Sequence, residues 1–269
     1  MWLNLQENQG RNYRKRTGLN GIKMSADFAT IGATKRVLIV GLDGVTWDVL
    51  GPLMAEGRMP RLRGVCEQGV SGFLRSTTPP ITPAAWTTFL TGKQPGKHGI
   101  IDFERYDVHA NKLAFNSTRC LDGVQNLWSI LGDRGFKVGS VNVPMTFPAV
   151  PVNGFLVSGF ETPWVNSHFV YPPEIKSEIV ERWPDPTLRA KWKRSAVRGD
   201  AVFAENLDYI SRSFHQGADM TRWLAGRFGW DALMVVFKLT DNLQHKTWKY
   251  IDPRWRERDP KRCEAVKSC

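Results

Sequence analysis

Thr82-Pro83-Ala84-Ala85-Trp86 puts a hydroxyl where a helix is about to begin. These residue types predict Thr82 as the N-cap and Pro83 as the first helical residue, where a missing N–H costs nothing. The free N–H groups of that turn and the positive end of the helix dipole would then surround the Thr82 hydroxyl, a setting for an anion such as phosphate. Thr82 is a candidate nucleophile; on its own, Thr-Pro at a helix start reads as ordinary capping. Asp43 follows the apolar run Val37-Leu38-Ile39-Val40 by way of Gly41-Leu42, and Asp241 and His245 follow a second run, Ala232-Leu233-Met234-Val235-Val236-Phe237. Asp241 and His245 are four apart, so on a helix they share a face, from which one metal ion can take two ligands. Alone, the pair reads rather as an aspartate at a helix start with an exposed histidine one turn later. Carboxylate with imidazole suits zinc, and manganese or iron less well.

The elements that must position these residues are legible around them. Neither apolar run alternates, which predicts two buried parallel strands. Ligands of open α/β sheets bind beyond the carboxyl ends of the strands, so Asp43, Asp241, His245 and the head of the Thr82 helix are expected at one edge. Helices are expected from Thr46 to Glu56, Pro60 to Gln68, Gln125 to Asp133, Pro172 to Arg182 and Asp200 to Phe228, with Gly57, Gly69 and Gly135 as stops. Strands are expected from Lys137 to Val143 and Gly154 to Gly159. Phe203, Leu207, Ile210, Phe214 and Trp223 recur at helical spacing and read as core. Thr91-Gly92 to Gly99 reads as a turn-rich loop that His98 fastens by hydrogen bonds; neither His98 nor Lys93 is a site residue.

Three segments together carry a resemblance to a known family. They are Val37 to Gly44; Pro80-Ile81-Thr82-Pro83-Ala84-Ala85-Trp86-Thr87-Thr88-Phe89 with Thr91-Gly92 and His98-Gly99-Ile100; and Thr240-Asp241 with His245. They resemble the type I phosphodiesterase and nucleotide pyrophosphatase family of the alkaline phosphatase superfamily. The resemblance implies an α/β fold, an alkaline-phosphatase-like, largely parallel sheet flanked by helices. It implies two divalent metal ions, zinc with manganese as the substitute. Asp43 and Thr82 would bind one ion and Asp241 and His245 the other, and Thr82 would attack phosphorus to form a phosphothreonine that water then hydrolyses. The implied partner is a phosphorylated small-molecule substrate. A threonine hydroxyl is a weak nucleophile at neutral pH, and metal with helix dipole is a known remedy. A phosphomutase of the same superfamily and a non-catalytic, anion-binding fragment are the alternatives; counting bound metal separates hydrolase from fragment. No Ser-His-Asp arrangement, no G-x-x-x-x-G-K-[ST] loop and no C-x-P-x-R segment is present, the last arguing against sulfate esters.

Members of that family also carry a further Asp-His pair and a late histidine, for which this chain offers no counterpart before Cys269. The expectation is therefore an N-terminal part of a larger enzyme with its C-terminal part missing: residues 36–269 a partial catalytic domain, residues 161–230 its candidate cap region, and residues 1–35 a disordered basic extension.

Net charge is +11, and residues 1–36 hold seven basic against two acidic residues, a net of +5. Charge gathered in a tail without periodic apolar residues argues against nucleic-acid binding by the domain, and Met24 is a candidate start. No apolar run approaches a membrane span or a secretory signal. Cys66, Cys120, Cys263 and Cys269 show no C-x-x-C spacing and read as reduced thiols of a cytoplasmic protein. Nothing in the pattern sets an oligomeric state.

Overall fold

The structure is a computed structural model that describes residues 36–159, 161–163, 165–183, 185–188, 192, 199–252 and 258–269. The basic extension over residues 1–35, with Met24, lies outside the described residues.

The first apolar run forms β1 (Val37–Leu42) and the second forms β7 (Ala232–Phe237). They pair in parallel, Val37 opposite Ala232 through Leu42 opposite Phe237, so both strands end at one level. β7 also pairs in parallel with β4 (Val138–Val143), β4 with β5 (Gly154–Ser158), and β5 antiparallel with β6 (Val170–Tyr171), for an order β1-β7-β4-β5-β6. The sheet is thus largely parallel, as expected.

Helices cover both faces. On one, Met220 and Leu224 of the long helix Asp200–Phe228 and Ile179 of the helix Lys176–Arg182 pack on Val141, Phe155, Val157, Leu233 and Val235. On the other, Leu90 of the helix Thr82–Thr91 and Trp128 of the helix Leu127–Gly132 pack on Val138, Val143, Leu156, Met234 and Val236. In chain order the helices are α1 (Trp47–Ala55), α2 (Pro60–Gln68), α3 (Thr82–Thr91), α4 (Pro95–His98), α5 (Leu127–Gly132), α6 (Lys176–Arg182), α7 (Asp200–Phe228), α8 (Leu239–Ile251) and α9 (Pro260–Ser268). α7, α8 and α9 meet through Leu207, Tyr250, Cys263 and Val266. Among the described residues no helix is long and apolar enough to cross a membrane.

Three expectations need correction. β1 is not a buried strand: Val37, Leu38 and Val40 are each more than half exposed, because among the described residues β1 has a ladder partner on one side only. The apolar run specified a strand, and burial depends on neighbours that periodicity does not report. The helix expected from Pro172 begins with a 3-10 turn at Pro173–Ile175 and becomes α-helical at Lys176. A hairpin of β2 (Glu104–Asp107) and β3 (Lys112–Phe115) was not expected, since its strands are short, mostly exposed and without alternation.

Candidate active site

β1 hands directly to Asp43, which its surroundings hold on every side. The Asp43 N–H donates to the Phe237 carbonyl at 3.2 Å, and Thr240 Oγ1 donates to the Asp43 carbonyl at 2.7 Å. The carboxylate is 6% exposed as a residue and accepts from Trp86 Nε1 at 3.1 Å on Oδ1. Thr82 Oγ1 faces the same carboxylate, 3.3 Å from Oδ2 and 3.5 Å from Oδ1. Thr82 and Trp86 are four residues apart on α3, so one helical face delivers both groups to Asp43.

Thr82 is not the N-cap. α3 begins at Thr82 itself, with Ile81 in the extended capping position and no side-chain capping bond, and Pro83 occupies the second helical position. Its hydroxyl is turned across to Asp43 on the neighbouring strand, which an ordinary capping role does not require.

Two glycines make this approach possible. Gly44 has φ +71°, and a Cβ there would stand 2.8 Å from Asp241 Oδ1. At Gly41 a Cβ would meet the Trp86 ring at 2.5 Å. Gln244 Nε2 donates to the Gly44 carbonyl at 3.1 Å, tying α8 to the same turn.

α8 begins at Leu239, so Asp241 and His245 share its first turns; His245 Nε2 lies 3.3 Å from Asp241 Oδ1. The His245 side chain is 73% exposed and that of Asp241 17%. Asp43, Thr82, Asp241 and His245 therefore gather at the carboxyl ends of two adjacent strands.

Sequence reasoning missed Lys238. Its side chain is 10% exposed and its Nζ pairs with Asp43 Oδ2 at 3.0 Å and with Asp241 Oδ2. Trp86 was read only as part of a motif. Both were findable: Trp86 lies one turn from Thr82, and Lys238 is the one charge between the buried β7 run and Asp241.

His98 stands apart from this group. It is 4% exposed, its Nδ1 accepts from the Ile100 N–H at 3.1 Å and its Nε2 lies 3.0 Å from Thr88 Oγ1. Nδ1 as acceptor leaves the proton on Nε2. Burial pushes its pKa below the ordinary 6.5, which keeps the ring neutral and fits it to fastening the loop.

The type I phosphodiesterase / nucleotide pyrophosphatase family model matches residues 37–259. The chain belongs to this family. Solved structures give the fold: phosphonoacetate hydrolase from Sinorhizobium meliloti 1021, in complex with phosphonoacetate, superposes with a TM-score of 0.50 at 16% identity. The match covers 77% of this chain and 47% of that one. The same hydrolase with phosphonoformate gives 0.47 at 16% identity, over 76% and 46%. This family member thus spans about half the length of those structures. No curated protein matches it.

The donor chemistry of this member's site, two carboxylates, a hydroxyl and an imidazole, fits a hard or borderline divalent ion. The donor number does not complete a two-zinc centre. Zinc takes three or four protein ligands, and among the described residues no group of three or more His, Cys, Asp and Glu is placed to hold one ion: Asp43 and the Asp241–His245 pair share the sheet edge without forming a single ligand set.

Proposed function

We propose that this family member hydrolyses phosphoric esters of small molecules, with Thr82 as the nucleophile. The observation that carries the reading is the Thr82 hydroxyl, released from capping and aimed at the buried Asp43 carboxylate. Thr82 Oγ1 forms the new bond to phosphorus as the bond to the leaving alkoxide breaks, and water then cleaves the phosphothreonine. Asp43 orients the hydroxyl and is positioned to accept its proton. The α3 N-terminus provides positive potential for the phosphoryl group.

Divalent metal is the proposed cofactor, zinc first and manganese second. Asp43 with Thr82, and Asp241 with His245, are the residues that would hold it. Bound there, it would lower the charge on the phosphoryl oxygens and activate hydroxyl or water.

The test is steady-state hydrolysis of bis(p-nitrophenyl) phosphate and of nucleotide esters, with zinc or manganese at saturation and phosphonoacetate as a separate arm. Thr82→Ala should lose turnover on the order of a thousandfold, about 4 kcal/mol of transition-state stabilisation. Asp241→Ala should mainly raise the metal concentration needed. A Thr82→Ala protein that turns over near the wild-type rate, or a wild type no faster than that variant, overturns the reading.

A further inference from the structure

Two carboxylates brought together at the end of a parallel sheet repel, and neither Asp43 nor Asp241 is well solvated: their side chains are 7% and 17% exposed. Each needs compensation from the protein itself. Asp43 uses Oδ1 for Trp86 Nε1 and Asp241 turns Oδ1 to His245, which leaves the Oδ2 atom of each for another partner. Lys238 Nζ lies against both Oδ2 atoms.

The placement is built into the chain. Lys238 directly follows β7, where the strand has set its register against β1, and it precedes Asp241 by three residues at the head of α8. Its stem is buried with the rest of the residue, 8% exposed, so its ammonium is not a surface charge that happens to drift near. Thr82 Oγ1 shares Asp43 Oδ2 with it, which places the cation next to the proposed nucleophile.

We propose that Lys238 is the resident cation of this site. Its ammonium bridges Asp43 and Asp241 in the metal-free protein, keeps the carboxylate pair assembled, and competes with an incoming divalent ion for the same Oδ2 atoms. The inference rests on the reading of Asp43 and Asp241 as metal-facing residues. It adds that metal binding here requires the Lys238 side chain to leave, so that the protein tolerates the loss of its metal at the expense of holding it weakly. Lys238 is a positioning residue for that centre.

Zinc affinity tests it, measured on the chelator-stripped 269-residue protein by competition with a chromogenic zinc indicator, alongside thermal melts with and without zinc. Lys238→Met keeps the length and removes the charge. It should bind zinc more tightly by about tenfold or more, melt at a lower temperature in chelator, and gain more on zinc addition than the wild type. Lys238→Arg should keep the weak zinc binding. Zinc affinity of Lys238→Met equal to or below the wild-type value overturns the proposal. Should Lys238→Met not fold in chelator, recovery of the fold with zinc supports the same role. Should it fold in neither, the double variant Asp241→Asn with Lys238→Met decides, since it removes one charge of each sign. That variant is expected to fold without metal, and its failure would mean that Lys238 serves packing and not charge. No ester enters these measurements, so a failed hydrolysis assay removes Thr82 from its role without touching the zinc result, and the reverse holds equally.

Discussion

Asp43 is the residue on which the site converges, held by Trp86 Nε1, Lys238 Nζ and Thr82 Oγ1 at once. Trp86→Phe keeps one six-membered ring but removes the pyrrole half of the indole with its charge-assisted donor, so it should cost about 2 kcal/mol of stability or more, read from urea unfolding. Glu161 supplies a pH handle away from this cluster. Its Oε1 accepts from the Thr146 and Phe147 N–H groups while its buried Oε2 has no partner, and burial outweighs those bonds, raising its pKa from 4.5 to about 7. With the native pKa above the unfolded one, the folded protein binds the extra proton between those values. Stability from this group is full below about pH 4.5 and falls by about 3 kcal/mol as pH rises through 7. Glu161→Gln should flatten that part of the profile in urea melts at pH 5 and pH 8; an unchanged slope would assign the loss to other groups. At this scale the sequence pointed to Asp43, Thr82, Asp241 and His245 through their place after strands or at a helix head. Lys238 stayed hidden because no periodicity reports which way the side chain of the first residue past a strand turns.

β1 shows how far a local pattern reaches. Its apolar run is a strand in register with β7, yet Val37, Leu38 and Val40 stay largely exposed along an edge that is unpaired among the described residues. Such an edge is a template for association. Leu38→Lys should lower light scattering of concentrated protein with little change in melting temperature, and equal scattering would place the sticky surface elsewhere. The turn after β1 is more demanding. Gly44→Ala meets both a left-handed backbone and Asp241, and should destabilise by about 2 kcal/mol or more, checked by denaturant midpoint. α2 and α7 coincide with their expected bounds because apolar residues at helical spacing are framed by proline or glycine, and β7 because its six apolar residues run uninterrupted between Asp231 and Lys238. β6 escaped because two residues carry no period, and α9 because its apolar face is only Cys263 and Val266.

In the molecule as a whole, residues 37–259 match the family and the fold follows that of a hydrolase of which the match covers 47%. The largely parallel sheet and the shared strand ends were legible from two apolar runs and the rule that sites form at their carboxyl ends. The contacts of Trp86 and Lys238 with Asp43 were not, because they depend on side-chain directions that are set only once the segments around residues 43, 86 and 238 meet. The proposed mechanism requires that Thr82 become covalently phosphorylated. Incubation of the metal-supplemented protein with an activated phosphoric ester, an acid quench and peptide mass spectrometry measure this directly. One phosphoryl group on the peptide containing Thr82, absent from Thr82→Ala, is the expected result; ester hydrolysis that proceeds with Thr82 unmodified, at undiminished rate in the alanine variant, would contradict it.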